Sequence, residues 1–402
     1  MKINKNLIAS LGAGIEYYDF IIFGHLAGII SPIFFNKQPP VLSLLYSYVV
    51  FSMAYLVRPL GGLISGLLAD KFGRQKTFVA IMLCMAVATF IIGVLPTAES
   101  IGILAPLILI ICRLIQGMSF GAEMPSAITF ITENSNQNNK FLNNSLLCSS
   151  ATIGAILASL MMQVIAHKVN DLWRIPFLLG GSLAVVAFIL RKSANNFTNT
   201  WHEKPLFSPI RIIYQEQKIN FVLAIIFFLF SAVLVIAYVY YATYFATYFN
   251  YTLQNVYQFS TIGLVVCALL LPMFAKLFMN KNPYLVCAIV ALIFACYQIL
   301  VIQFNVLHFK NVILLGMFLI IHQIFIAAFN SVAYTALAEL FPKNIRATSV
   351  ALIYNISFVL ASFLPLISGV MVFADQDILL WIMAISASTA SLAAIFFYYQ
   401  NT

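Results

Sequence analysis

Twelve predominantly apolar stretches of about 20 residues or more succeed one another along this chain, most of them separated by short links. They lie near 7–33, 42–69, 77–96, 101–130, 141–168, 173–191, 219–249, 253–279, 283–306, 310–340, 345–373 and 378–399. A helix rising about 1.5 Å per residue crosses a hydrocarbon core of about 30 Å in about 20 residues, so each stretch is long enough to span a bilayer. Strands of a membrane barrel would alternate apolar and polar residues, and these runs are too long and too uniformly apolar for that. The expected fold is an all-α membrane protein with twelve transmembrane helices. With 62% hydrophobic and 8% charged residues among 402, the apolar excess is one that no water-soluble core of this size needs. A cleaved signal peptide is not expected, because the first apolar run exceeds an h-region and carries Glu16 and Asp19 in its middle.

The basic residues are unevenly placed. With the N-terminus in the cytoplasm, the inner loops and tails collect Lys2, Lys5, Lys71, Arg74, Lys76, Lys140, Arg191, Lys192, Lys204, Arg211, Lys218, Lys276, Lys281, Lys343 and Arg346. The outer loops hold Lys37, Lys168, Arg174 and Lys310. By the positive-inside rule this asymmetry predicts two cytoplasmic termini, and it accounts for the net charge of +9 without a nucleic-acid partner.

The one long connection, Lys192 to Lys218, contains SANNFTNTWHEKPLFSP and reads as a polar linker. It divides the chain into an N-terminal six-helix half (1–191), the linker itself (192–218) and a C-terminal six-helix half (219–402). Equal halves around a cytoplasmic linker are the mark of transporters built by repetition, with the substrate site at the bilayer midplane between halves that rock against each other. Residual identity between the halves is not visible by eye. Cys84, Cys112, Cys148, Cys267, Cys287 and Cys296 all fall inside apolar runs without metal-ligand spacing and read as small hydrophobic fillers, so no metal and no cofactor is expected.

Ionisable residues at membrane depth narrow the function. Asp19, Arg58 and Arg113 each lie about 12 to 16 residues into their spans, close to the midplane. Charge at that depth is costly, and it pairs or faces a water-filled cavity. Glu16 precedes Asp19 by one helical turn and shares its face. Glu123 lies about 15 Å beyond Arg113 along the fourth span, toward the cytoplasm. Three carboxylates against two guanidiniums leave one carboxylate unmatched, and Glu16 or Asp19 is the candidate proton carrier. The alternative is a set of fixed ion pairs that only align helices.

In the tenth span His322 and Gln323 stand at mid-depth, with Asn330 and Tyr334 further along. An imidazole there takes a proton, bonds a carboxylate substrate, or serves structurally by bonding a backbone carbonyl. The seventh span carries Tyr238, Tyr240, Tyr241, Tyr244 and Tyr248. An interfacial aromatic belt accounts for most of them, while Tyr238 and Tyr241 are assigned to the cavity, where aromatic faces would suit a quaternary amine. Asn355, Ser357 and Ser362 precede Pro365 in the eleventh span; such residues mediate helix contacts, and Asn355 is also a candidate ligand.

Between the second and third spans, Arg58, Pro59, Leu60, Gly61, Gly62, then Gly66, Asp70, Gly73 and Arg74, resemble the signature of the major facilitator superfamily. GIEYYDFIIFGHLA (Gly14 to Ala27) and RLIQGMSFGAEMPSAITFITE (Arg113 to Glu133) are similar to the first and fourth helices of its metabolite:proton symporter branch. LAELFPKNIRATSVALIYN (Leu337 to Asn355) resembles the junction of that branch's helices 10 and 11, and Trp173 to Phe177 the start of its sixth. The resemblance implies import of a small solute, of the proline, betaine, 2-oxoglutarate, citrate or shikimate kind, with a co-transported proton. It implies proton coupling at Glu16, Asp19 and Arg113, to which the buried charges add Glu123. The candidate substrate contacts are Tyr17, Asp19, Arg58, Arg113, Gln116, Tyr238, Tyr241, His322, Gln323, Asn330 and Asn355. A cytoplasmic gate is implied at Gly62, Gly66, Asp70, Gly73 and Arg74, with Glu133, Glu339 and Arg346 at the inner ends of the similar segments.

Three departures stand out. The corresponding hairpin of the second half, AKLFMNKN (Ala275 to Asn282), lacks the aspartate and the glycine-arginine pair; Ala122 replaces a usual glycine and Tyr17 a usual tryptophan.

The leading expectation is proton-coupled symport by alternating access. Export of drugs or metabolites by proton antiport fits the 14% aromatic content but not the branch-like first helix. A non-transporting sensor would need a signalling domain or a long tail, and the chain ends at Thr402 just after its last span. An enzyme is not expected, since no metal-spaced acid and histidine cluster or serine-histidine arrangement occurs. Two cavity arginines favour a carboxylate and the tyrosines admit a cationic amine, which leaves dicarboxylate and betaine-like solutes both open. Richness in Asn, Ile, Lys, Phe and Tyr suggests an AT-rich bacterial genome and hence a multi-pass protein of the inner membrane, in contact with lipid. Bundles of this kind commonly work as monomers.

Overall fold

The computed structural model describes residues 5–35, 38–62, 64, 68, 74–137, 139–165, 172–193, 207–372 and 374–401. Twelve helices carry the fold: α1 (Lys5–Phe34), α2 (Pro40–Leu56), α3 (Arg74–Val94), α4 (Leu104–Asn134), α5 (Lys140–Ile165), α6 (Arg174–Ser193), α7 (Lys218–Tyr248), α8 (Leu253–Phe278), α9 (Pro283–Gln303), α10 (Val312–Glu339), α11 (Lys343–Ser362) and α12 (Ile378–Asn401). Ten spans among the described residues are long and apolar enough to cross a membrane, and the shorter apolar stretches Ala80–Val94 and Arg174–Val185 supply the other two. In the linker region, Phe207–Glu216 forms a short helix that packs on α11.

Helix starts and breaks follow from local chemistry. Asn282 accepts from the amides of Tyr284 (3.0 Å) and Leu285 (3.3 Å) ahead of Pro283, and Asn311 accepts from Ile313 N at 2.8 Å, each satisfying amides that lack an intrahelical partner. In the second span the helix breaks at Val57 and resumes at 58–62, because Pro59 cannot donate to the carbonyl of Tyr55. In the eleventh, Pro365 has the same effect at Phe363, after which the chain continues as Leu364–Met371. Along α8 the apolar residues Leu269, Met273 and Leu277 point outward and Cys267, Leu271 and Ala275 inward, as a helix with lipid on one side requires.

The repetition invisible in the residues is plain in the packing. In the first half α1 lies against α5 and α6, α2 against α4, and α3 against α4 and α6; in the second half α7 lies against α11 and α12, α8 against α10, and α9 against α10 and α12. Close helix contact rests on glycine, as two examples show. A side chain on Gly121 would run into the carbonyl of Arg58, and one on Gly154 into the carbonyl of Gly14, so α2–α4 and α1–α5 approach backbone to backbone. The halves meet through α5 with α8 and α10, α4 with α11, α1 with α7, and α2 with α11.

Both ends of this seam are tied. At the end carrying the α4–α5 turn, Lys140 pairs with Glu339, and Arg346 Nη1 lies 3.4 Å from Glu133 Oε1. Just inside, Asn144 Nδ2 donates to Thr335 Oγ1 (2.9 Å) and Ser145 Oγ to Ser331 O (3.1 Å). Toward the opposite end, Tyr257 Oη donates to His25 O (3.1 Å), and Ser159 and Thr261 share a hydrogen bond of 2.8 Å. A cavity of about 50 Å³ lies between the halves.

Candidate functional site

Asp19 on α1 stands at the centre of a polar network inside the first half. Its Oδ2 accepts from Thr89 Oγ1 (2.5 Å) on α3 and from Gln116 Nε2 (3.1 Å) on α4. Gln116 Nε2 also donates to Thr89 Oγ1 (2.8 Å), and its Oε1 accepts from Arg113 Nη1 (2.9 Å). Asp19 is 1% exposed and Arg113 and Gln116 are fully buried, so every bond in this set acts in a water-poor setting where it is strong and where an unmade bond is costly. Asp19 Oδ1 has no hydrogen-bond partner, and Gly180 on α6 closes over it: a side chain there would approach it to 3.0 Å. Glu16 and Glu123 are buried as well.

Thr89 is absent from the sequence-based candidates. It stands within the apolar stretch of α3, and nothing in its local pattern aims it at Asp19. Its single proton has two acceptors within reach, Asp19 Oδ2 and Met85 O at 3.0 Å, and the shorter contact is to the carboxylate.

Arg58 sits at the α2 break with its guanidinium among rings. Its Cζ lies 3.8 Å from the Tyr55 ring centre, 4.1 Å from Phe20 and 4.2 Å from Phe120. Phe20 is shared, since Arg113 Cζ stands 4.7 Å from the same ring. The first-half arginines are thus stabilised partly by aromatic faces, a contribution of about 0.5–2 kcal/mol for each good contact.

The cavity between the halves is walled by Tyr17 from α1, Tyr238 from α7, and Gln323, Asn330 and Tyr334 from α10, with Cys148 and Cys267 among its smaller neighbours. Asn330 Oδ1 accepts from Ser231 Oγ at 2.7 Å, which fixes its amide. Other candidates are placed elsewhere. Tyr241 and His322 do not line the cavity; they bond each other (2.9 Å), and His322 Nε2 faces Leu234 O at 3.2 Å. Asn355 Nδ2 donates to Gly121 O at 2.8 Å, a bond between α11 and α4 across the seam. The expected lipid-facing tyrosine belt of the seventh span is corrected: Tyr238, Tyr240, Tyr241 and Tyr244 are all buried, because α7 is enclosed by α1, α8, α10, α11 and α12. Tyr240 meets Tyr48 edge-on across the seam at 5.2 Å, and Tyr244 bonds the backbone of Gln376.

Of the gate candidates, Glu133, Glu339 and Arg346 form the cross-half ion pairs described above, Lys140 being the partner that sequence reading left out. Gly62 lies near the carbonyl of Gly121. Gly66, Asp70 and Gly73 lie outside the described residues, as does the side chain of Arg74.

The model of the Major Facilitator Superfamily matches residues 10–321, most of the chain. The chain belongs to the major facilitator superfamily. Membership makes it a membrane transporter. Among the relatives of this family member, the proline/betaine transporter of Escherichia coli K12 is 27% identical over 412 residues, covering 94% of this chain and 80% of that protein. The glycine betaine/proline/ectoine/pipecolic acid transporter OusA of Dickeya dadantii is 27% identical, covering 92% of this chain and 77% of that one. In fold, the family member resembles the proton:xylose symporter XylE bound to 6-bromo-6-deoxy-D-glucose, with a TM-score of 0.74 at 15% identity over 98% of this chain and 94% of XylE. The partially occluded, inward-open form of XylE from E. coli gives 0.70 at 15% identity, over 98% of each chain.

Proposed function

We propose that this transporter imports a small organic solute bearing a carboxylate, together with a proton, by alternating access of its two halves. The observation that carries the reading is Asp19: a carboxylate at membrane depth, bonded on one oxygen by Thr89 and Gln116, with its other oxygen unpartnered. Protonation of such a group removes the cost of a buried charge without dismantling its surroundings, and loss of the proton restores an anion that Arg113 attracts through Gln116. Glu16 and Glu123 are the secondary candidates for the proton path. Kinship over more than nine-tenths of this chain with proteins named for proline, betaine and ectoine transport supports an osmolyte-sized zwitterion as the solute.

Tyr17, Tyr238, Gln323 and Asn330 would contact the solute from the cavity, and Arg58 from beside it. The Lys140–Glu339 and Arg346–Glu133 pairs serve as the cytoplasmic latch, with Gly62, Gly66, Asp70, Gly73 and Arg74 as the further gate candidates. In this reading both termini face the cytoplasm of a bacterium whose inner membrane holds the protein as a monomer, and the protein performs no covalent chemistry on its cargo.

The test is uptake by purified protein in liposomes against a panel of amino acids, betaines and di- and tricarboxylates. An inward proton gradient is expected to drive accumulation of at least one of them. Rates indifferent to the gradient for every solute moved would overturn the coupling.

A further inference from the structure

Arg58 is 1% exposed and lies within a compartment formed by Phe20, Tyr55, Phe120 and Phe358, the last at 5.6 Å from its Cζ. Its Nε and Nη1 have no hydrogen-bond partner, and none of the ion pairs among the described residues includes it. Rings stabilise a guanidinium through its faces, but they leave its in-plane N–H donors unmatched, and a buried unmatched donor is costly. An anion is what completes such a group. Arg113 also has two donors, Nε and Nη2, without a partner, but its Nη1 is engaged by Gln116 in the Asp19 network, and Arg58 is the arginine that lines the compartment beside the cavity.

The compartment of Arg58 and the cavity between the halves share the wall formed by Tyr17, Ile21 and Val235. Beyond that wall the cavity presents the rings of Tyr17, Tyr238 and Tyr334, and among the described residues no ionised side chain lines it. Aromatic faces attract a cation with a delocalised, weakly hydrated charge, whereas a second carboxylate placed there would find no countercharge.

We propose that Arg58 anchors the carboxylate of a compact zwitterion whose fully alkylated nitrogen occupies the cavity of Tyr17, Tyr238 and Tyr334. The proposal rests on the transport reading above and separates the two solute classes that the sequence left open, in favour of betaine-type zwitterions over dicarboxylates. Tyr17 is the specificity-determining partition between the two charges of the solute. Because the cavity of the closed form is about 50 Å³, the tyrosines must part to admit the trimethylammonium group.

The experiment measures binding to the full chain in liposomes with three probes: glycine betaine, choline, which has the same head without a carboxylate, and succinate. Wild type is expected to bind glycine betaine above both others. Arg58→Gln is expected to weaken betaine binding about thirtyfold or more and to erase the preference over choline, because a charge-assisted contact is lost. Arg58→Lys should recover part of the affinity, since it keeps the charge without the planar fork. Unchanged betaine affinity in a folded Arg58→Gln protein would overturn the assignment. Should that variant not fold, Tyr334→Leu against Tyr334→Phe decides: the leucine alone is expected to weaken betaine binding, about fivefold or more, and equal binding by the two overturns the cavity assignment. Proton-driven uptake of succinate without betaine binding sinks this inference and leaves the transport reading standing, whereas gradient-indifferent behaviour toward every solute sinks both.

Discussion

Arg113 reaches Asp19 through the side-chain amide of Gln116: Nη1 donates to Oε1 at 2.9 Å, and Nε2 donates onward to the carboxylate at 3.1 Å. Among the described residues the two charges form no direct ion pair. A direct pair of this kind would lock the carboxylate, because separating opposite charges in a low-dielectric interior is expensive. An intervening amide keeps the two in register while leaving one carboxylate oxygen unpartnered, as the proposed proton carrier requires.

Replacing Asp19 by Asn keeps an oxygen for Thr89 while removing the titratable group. Proton-driven accumulation is expected to disappear while solute exchange between two loaded compartments persists. The comparison of gradient-driven uptake with exchange in liposomes checks it; unchanged accumulation would remove Asp19 from the mechanism.

Thr89→Val is nearly isosteric and deletes the hydroxyl donor at 2.5 Å from Asp19. Leaving a buried acceptor short of a donor costs about 1–3 kcal/mol. A lower melting temperature and slower gradient-driven uptake are expected together, and a variant matching wild type in both measurements would show that the hydroxyl is not needed.

The Lys140–Glu339 pair offers a charge-swap test of the latch. Lys140→Glu alone sets like charges against each other and is expected to open that end, exposing the cavity cysteines Cys148 and Cys267 to a hydrophilic maleimide. Lys140→Glu combined with Glu339→Lys should return labelling to the wild-type rate. Equal labelling in all three proteins would argue against a gating role.

His322 is bonded on both ring nitrogens, by Tyr241 and toward Leu234 O, and it does not line the cavity. His322→Leu is expected to cost about 1–3 kcal/mol through the groups left unpaired. Solute KM should stay within about twofold of wild type, a change below 0.5 kcal/mol. A selective rise in KM with unchanged stability would restore His322 to the binding site.

Gly121→Val places a side chain against the Arg58 carbonyl at a close approach of the second span and α4. Overpacking of this kind costs about 1–3 kcal/mol. Reduced yield of folded protein in detergent is the expected result, with Gly121→Ala milder than valine, and full stability of both would mean that the two helices separate freely.

Much of this protein was determined by its residues in order. Twelve apolar stretches require helices, because a backbone in lipid has to satisfy its own hydrogen bonds. The charges at membrane depth, Asp19, Arg58 and Arg113, mark themselves out by cost alone, and the RPLGG signature of the second span with its counterparts in the first and fourth indicates the family.

What the tertiary structure decided is which of those polar groups meet. Thr89 is a hydroxyl within an apolar stretch of helix, and its role exists only because α3 packs beside α4 with Asp19 within reach. Tyr241 and Tyr238 are three residues apart on one helix, yet one lines the cavity and the other bonds His322, because direction around α7 is set by the neighbours that enclose it. Arg58 and Arg113 are equivalent as intramembrane cations, and only their surroundings separate them: Gln116 ties one into the Asp19 network, and the other lines a ring-walled compartment beside the cavity. The repetition of the halves likewise survives in which helices touch and not in which residues do so, since a packing pattern tolerates many sequences of similar volume and hydrophobicity. Composition and depth decide that a polar group is buried; the arrangement of the helices decides what it is buried against.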